Sequence, residues 1–355
     1  MRMIKSQKFR DKKILVIDKD RKTKNDRTWC FWETGKGFFE EIIFRQWPGF
    51  QFLSESFSGT LDISPYRYKL IRGIDFYNHC FNEIKNHSNV TIMYGDLRFD
   101  KNVIFLNSEQ LQLSDAVIFN SVLHFDEKDN DAISLQQHFK GWIIETSKLA
   151  FDIHKPVLMD FRVSQQHGTT FAYILPFSET TALVEYTLFT AAILPQDEYD
   201  RGLQKYISTL PGVGDYKVCE EEFGVIPMTN RKFSFFENGR YNIGTAGGQT
   251  KASSGYTFNF IQKNSDQILQ QLLSGKPLSQ LAMPSKRFHF YDTILLRLLK
   301  ENKLKGKDIF SQLFERNKTS QVLKFLDNET SLQEELKIIS SLPTMPFLKA
   351  ALKHR

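Results

Sequence analysis

The apolar positions of this chain fall into runs of two kinds, short uninterrupted blocks and helically spaced sets. Near the amino end, Ile14-Leu15-Val16-Ile17 is uniformly apolar, follows Lys13 and closes on Asp18. A block of this length reads as a buried strand with a carboxylate at its carboxyl end. Residues 1–9 ahead of it read as the tail of a short helix. Between 66 and 87, the spacing of Tyr68, Leu70, Ile71, Ile74, Phe76, Tyr77, Cys80, Phe81 and Ile84 predicts a helix, and residues 90–94 a strand. Strand-like runs follow at 103–106 and 115–120. From 137 to 186 the chain changes to strands and turns, with strands at 141–146, 157–163, 170–175 and 181–187. That is the pattern of an antiparallel sheet able to cover one face of a ligand cavity. Residues 196–209 read as helix and 223–227 as a return toward the first region. Helices dominate from 260 onward, interrupted by a loop at 283–285.

A strand that ends on an acid is the second strand of a dinucleotide-binding βαβ unit, where the acid holds a ribose. Such a unit begins with a strand and a G-x-G-x-x-G turn, about 20 residues before that acid. Here the chain starts inside the intervening helix, and no G-x-G-x-x-G follows any predicted strand; Gly35 and Gly37 follow an aromatic run instead. The expectation is that roughly 15 to 20 residues are absent from the amino end, Met1 or Met3 being a start inside a longer frame. The alternative is a chain with no dinucleotide site, Asp18 being a solvated strand end.

Composition narrows the function classes. With 355 residues the chain can bury a substantial core without staples. A formal charge of +6, with acids and bases mixed, points away from nucleic acid and toward a membrane surface as the anionic partner. Cys30, Cys80 and Cys219 are odd in number and far apart, which disfavours a disulfide framework and zinc, and the scattered histidines suggest no metal site. No apolar run is long enough to span a bilayer and no signal peptide opens the chain, so the expectation is a cytoplasmic protein. Phenylalanine is the outlying residue, with 32 copies; it suits either a pocket for a long unsaturated hydrocarbon or an aromatic core.

The chemistry-bearing runs are spread along the chain. Asn25-Asp26-Arg27-Thr28-Trp29-Cys30-Phe31-Trp32-Glu33 follows the Asp18 strand; Gln136-Gln137-His138-Phe139-Lys140-Gly141-Trp142 enters the predicted sheet. Val157-Leu158-Met159-Asp160-Phe161-Arg162, Tyr173-Ile174-Leu175-Pro176-Phe177-Ser178 and Leu183-Val184-Glu185-Tyr186-Thr187 lie within it. Gly224-Val225-Ile226-Pro227-Met228 leads to Gly244-Thr245-Ala246-Gly247-Gly248-Gln249-Thr250-Lys251 and Gly255-Tyr256, small residues between a strand and a helix that let backbone N–H groups approach a pyrophosphate or ring. Taken in this order, from Lys13 to about Leu352, they resemble the lycopene cyclases, β-cyclase type.

The resemblance implies an FAD flavoprotein that closes the ends of lycopene or a related linear carotenoid into rings, with reduced flavin, NAD(P)H as electron source and no net redox change. It implies a catalytic acid at Glu185, with Asp160 the second acid or base. Family members often carry a second acid directly after the first, where this chain has Tyr186. Cofactor contacts fall on Asp18, Arg27, Thr28, Trp29, Gly244, Gly247, Gly248, Lys251, Gly255 and Tyr256, and substrate contacts on Phe31, Trp32, Tyr173 and Phe177. Each has a plainer alternative: Glu185 a solvated strand position paired with a lysine, Asp160 an ion pair with Arg162 or Lys155, the rings ordinary packing. The helical run 291–300, followed by Lys303, Lys305 and Lys307, fits either a lipid interface or a core face.

The fold expected is therefore α/β (α+β): a Rossmann-like FAD/NAD(P)-binding domain in two segments, 1–123 and 222–282, an antiparallel-sheet substrate domain at 124–221, and a helical region at 283–355. An FAD-dependent isoprenoid reductase or hydroxylase on the same scaffold, and a non-catalytic carotenoid-binding fragment, are the competing functions. The oligomeric state is left open.

Overall fold

The computed structural model describes residues 1–101, 103–123, 132–281 and 285–353. Positions 124, 282 and 283, where boundaries were expected, and the Met283-Pro284 part of the predicted loop lie outside these residues.

The element that positions everything else is a seven-stranded sheet. Its spatial order is Tyr216–Thr229, Ser134–Thr146, Thr181–Thr190, Thr169–Pro176, Val157–Asp160, Gly49–Leu53 and Ser58–Asp62. Neighbours run antiparallel except Val157–Asp160 beside Gly49–Leu53. The antiparallel sheet read from 137–186 is thus present and wider than its own segment. The hairpin from 49 to 62, which the sequence reading passes over, extends it, with Phe50 and Phe52 buried at alternate positions. The expected boundary between 221 and 222 falls inside the strand Tyr216–Thr229.

Successive side chains of a strand point to opposite faces, and Thr181–Thr190 shows how this sheet uses both. Ala182, Val184, Tyr186 and Leu188 meet Tyr199, Leu203, Tyr206 and Ile207 of the helix Gln196–Ile207. Leu183 and Phe189 face the other way, into a core shared with Phe171, Leu175 and the helices Lys286–Lys300, Gly306–Arg316 and Thr319–Leu326. One face is closed by a helix; the other is covered in part by the carboxyl-terminal helices and in part by a cavity.

The amino-terminal region differs from expectation in two places. The strand Ile14–Asp18 pairs in parallel with Val90–Tyr94 in a two-stranded sheet, while Ile118–Asn120 pairs in parallel with Arg240–Asn242 in a separate one. With one strand neighbour instead of two, Leu15 and Val16 are 40% and 38% exposed, where a buried strand was predicted. The predicted helix over 66–87 divides: Arg67–Arg72 is a strand between Thr28–Glu33 and Arg45–Trp47, and the helix runs Gly73–Lys85. Tyr68, Lys69, Leu70 and Ile71 are all buried, so this central strand lacks the alternation that marks a strand in sequence. Lys69 is accommodated there by Glu33 at 3.0 Å and Glu40 at 2.6 Å.

Candidate active site

A cavity of about 700 Å³ lies between the open face of the large sheet and two segments laid against it, Asp26–Cys30 and Ser254–Phe258. The sheet contributes Gln137 and Phe139, Tyr173 and Leu175, Leu183 and Glu185, and residues 223–227. Period-two alternation places Gln137 and Phe139, Tyr173 and Leu175, and Leu183 and Glu185 on one wall, and the edge strand lines it continuously from 223 to 227.

Glu185 is half-buried, with its open side toward the cavity. In the ladder it stands opposite Gly141, and Gly141 stands opposite Glu222 on the other flanking strand. The two glutamates thus flank a glycine on one face of the sheet, and a Cβ at Gly141 would lie 3.0 Å from Glu222 Cγ and 2.9 Å from Leu183 Cδ1. Thr187 Oγ1 donates to Glu185 at 2.5 Å, and Thr28 Oγ1 donates to Glu222 at 2.8 Å. Among the described residues no lysine, arginine or histidine forms an ion pair with either. Loss of solvation first, and the adjacent carboxylate second, hold Glu185 well above the usual carboxylate range. Burial does the same for Glu222, against the lowering effect of the Thr28 hydroxyl. Cys30, on the opposite wall, is pushed up by burial, with both glutamates adding to the shift.

Asp160 sits elsewhere. Its strand turns it to the helix-covered face, where it is fully buried and accepts hydrogen bonds from Tyr206 Oη at 2.9 Å, Arg162 Nε at 2.9 Å and Arg162 Nη2 at 2.8 Å. It does not line the cavity, and of its two sequence readings the Arg162 ion pair is the one present. Tyr186 occupies that same face: its ring packs against Gly202, where a Cβ would come within 2.8 Å.

The cofactor-side residues divide in the same way. Arg27, Thr28, Trp29, Gly255 and Tyr256 line the cavity. Gly255, at φ +72°, leaves room for Gln137, whose Oε1 would be 2.0 Å from an added Cβ. Gly244, Gly247 and Gly248 form a tight turn after Arg240–Asn242, and of that turn Thr245 reaches the cavity. Beyond Gly244, an added Cβ meets the chain's own atoms: Asn242 O at 2.4 Å for Gly247 and Phe233 Cδ2 at 2.9 Å for Gly248. Lys251 is buried in an ion pair with Asp292 at 2.7 Å and between the rings of Phe288 and Phe325, away from the cavity. Asp18 caps the Asp20 N–H at 2.9 Å and also lies outside it.

Of the expected substrate residues, Tyr173 lines this cavity. Phe31 and Trp32 line a second one of about 550 Å³, toward the carboxyl end of the same strand, Phe31 stacking on Phe258 at 4.1 Å and Trp32 meeting Tyr256 edge-on at 4.6 Å. Phe177 packs on Phe44 at 5.1 Å, apart from both. Glu222 went unnoticed in sequence; its signal was the run Glu220-Glu221-Glu222 directly ahead of Phe223-Gly224.

Buried polar atoms around the main cavity lack partners among the described residues: Trp29 Nε1, Gln137 Oε1 and Ser254 Oγ. Unpaired buried donors and acceptors are costly, so a wall bearing them beside apolar Val225 and Ile226 fits a planar, polar-edged group such as a flavin ring.

Solved structures with a similar fold include flavoproteins. The chain superposes on a geranylgeranyl bacteriochlorophyll reductase-like protein from Thermoplasma acidophilum with a TM-score of 0.60, 12% identity and 95% and 92% coverage of the two chains. A flavoprotein/dehydrogenase from Cytophaga hutchinsonii gives 0.61, 11% and 99% and 95%. In sequence, a lycopene beta-cyclase of Pseudescherichia vulneris is 23% identical over 98% of this chain and 92% of that protein. A lycopene beta-cyclase of Paracoccus sp. (strain N81106 / MBIC 01143) is 25% identical over 59% of this chain, the match spanning 57% of that protein. The family model described as lycopene cyclase protein matches residues 4–352, and the chain therefore belongs to the lycopene cyclase family, on an α/β fold shared with FAD-dependent enzymes.

Proposed function

We propose that this protein closes the linear ends of lycopene, or of a related linear carotenoid, into β-ionone rings by acid–base chemistry without net oxidation or reduction. The observation that carries this reading is Glu185: a carboxyl group facing an aromatic-walled cavity, with no ion-pair partner among the described residues, keeps its proton at neutral pH. In the reaction, Glu185 gives that proton to a terminal carbon–carbon double bond. The tertiary cation formed is attacked by the next double bond, and loss of a proton from the adjacent ring carbon completes the ring. One proton enters and one leaves, which makes the enzyme an intramolecular lyase or isomerase.

Trp29, Gln137, Thr245, Ser254, Gly255 and Tyr256 are the cavity residues that would hold FAD. When bound in reduced form, FAD supplies an electron-rich ring beside the cation. This chain's own part is to exclude water, orient the polyene along Tyr173 and Leu175, and hold the proton on Glu185. Expression in a lycopene-accumulating bacterial host tests the reading: cyclic carotenoid from the wild-type chain and none from Glu185→Gln is the expected result. Reductant consumed in step with a hydrogenated or hydroxylated product would replace the cyclase by a reductase or hydroxylase.

A lipid surface is the proposed place of work. No helix among the described residues is long and apolar enough to cross a membrane. The last two helices nevertheless expose apolar side chains at helical spacing, Leu332 and Leu336 on one and Met345, Leu348 and Leu352 on the other, with Lys337, Lys349 and Lys353 exposed among them. Such faces bind anionic bilayers through buried apolar area and basic charge. Leu348→Asp is expected to lower co-sedimentation with phosphatidylglycerol vesicles; unchanged binding would remove this surface from the account.

A further inference from the structure

We propose that Glu185 and Glu222 work as one unit holding a single proton, with Glu222 the positioning residue that keeps Glu185 protonated until substrate is in place. The inference deepens the cyclisation reading and rests on it. Its basis is the ladder through Gly141. Neighbouring strands lie about 4.8 Å apart, so two glutamates on either side of a central strand are normally separated by the side chain between them. Here that side chain is a hydrogen atom. Glu222 Cγ and Oε1 already occupy the space above the glycine, 3.0 and 3.3 Å from where a Cβ would sit, and the two carboxyl groups come within hydrogen-bonding reach of each other.

The groups that face the pair offer no positive charge to stabilise two anions. They are Asp26 and Cys30 from the segment laid over the cavity, Tyr173 from the strand beyond Glu185, Tyr256 from the glycine-rich loop and Glu220 from the strand of Glu222. Arg27 is close by but paired with Asp26 at 2.9 Å. Two like charges this close in a desolvated site do not ionise together, and such groups titrate as a pair. Tyr186 follows from the same geometry. A carboxylate directly after Glu185 would point to the helix-covered face, so the cavity's second acid has to come from a neighbouring strand.

The step balances without any further reagent. The resting pair carries one proton and one negative charge. Glu185 passes the proton to the terminal double bond, leaving two carboxylates opposite one carbocation. The proton lost from the ring carbon then returns to the pair and restores the resting state.

The test is the pH profile of kcat for purified, FAD-loaded enzyme carrying Glu222→Gln, beside Glu222→Asp. A glutamine removes the neighbouring negative charge and donates a hydrogen bond to the Glu185 carboxylate, so the alkaline limb should move to lower pH by about one unit or more. KM should hold, and the aspartate variant should restore part of the limb. A loss of activity or melting temperature with an unmoved alkaline limb means that Glu222 is only structural and overturns the proposal. An activity-free readout separates this from failure of the cyclase reading. Infrared titration should show a carboxyl group still protonated at pH 7 in the wild-type protein and absent in Glu185→Gln, whatever the substrate proves to be. If that signal is missing from the wild-type protein, the shared proton does not exist. Should Glu222→Gln fail to fold, the same wild-type and Glu185→Gln titration decides the matter.

Discussion

The two faces of the seven-stranded sheet bury carboxyl groups in opposite ways. On the helix-covered face, Asp160 accepts a fork of bonds from Arg162 and a third from Tyr206, so the cost of removing its charge from water is offset by a guanidinium in ideal geometry. On the cavity face, Glu185 and Glu222 have hydroxyl donors and each other. Asp160 is the more deeply buried group and has a guanidinium beside it, whereas burial and a neighbouring carboxylate raise the proton affinity of Glu185. Burial alone therefore does not identify an acid catalyst. What distinguishes the two sites is whether the sheet also brings a cation to the carboxyl group.

Substitutions on either face test this distinction. Glu185→Gln should have the largest effect, lowering kcat about 10²- to 10⁴-fold while leaving the melting temperature unchanged or raised; rates and melting curves on the same preparation check this. Tyr186→Asp comes next. It restores the paired acids of relatives in sequence but sets a charge against Gly202 and the helix, so urea unfolding should show a loss of about 3–5 kcal/mol with no gain in rate. A functional, stable Tyr186→Asp variant would show that the strand does not fix its faces as described. Asp160→Ala should cost about 1–3 kcal/mol by leaving Tyr206 without its acceptor, with activity per folded molecule retained.

The remaining test is the pH dependence of stability. Glu185 has a raised pKa in the folded chain, so between its ordinary value of 4.5 and that raised value the native state holds a proton that the unfolded state has released. Its contribution is complete below pH 4.5 and is lost as pH rises through the raised value, by up to about 1.4 kcal/mol for each pH unit that separates the two values. Unfolding free energies across pH 5 to 8 should fall more steeply for wild type than for Glu185→Gln. Equal slopes would mean that Glu185 carries no extra proton.

Much of this arrangement was legible in the sequence wherever one strand specifies itself. The strand-like run 181–187 gave the strand that carries Glu185, the resemblance of its motif singled that residue out, and the small residues leading to Gly255-Tyr256 beyond a strand end marked a loop that does line the cavity. Arg162 stands two residues after Asp160, the spacing of side chains sharing a face in extended chain, so the ion pair was one of two readings the spacing allowed. Glu222 was hidden because its place depends on register through Gly141 to a strand distant along the chain, which no local pattern encodes. Lys251 looked like a cofactor-facing cation because its partner Asp292 lies on a helix that only the tertiary fold brings near. The strand Arg67–Arg72 looked helical because both of its faces are buried.

The most direct test of the central claim, that Glu185 supplies the proton that closes the ring, is cyclisation by purified FAD-loaded protein in deuterated water, followed by mass analysis of the carotenoid. The Glu185 carboxyl exchanges with solvent, so each ring formed should carry one deuterium, and Glu185→Gln should form rings at least about 10²-fold more slowly. Rings without solvent deuterium, or rings formed at the wild-type rate by Glu185→Gln, would contradict it.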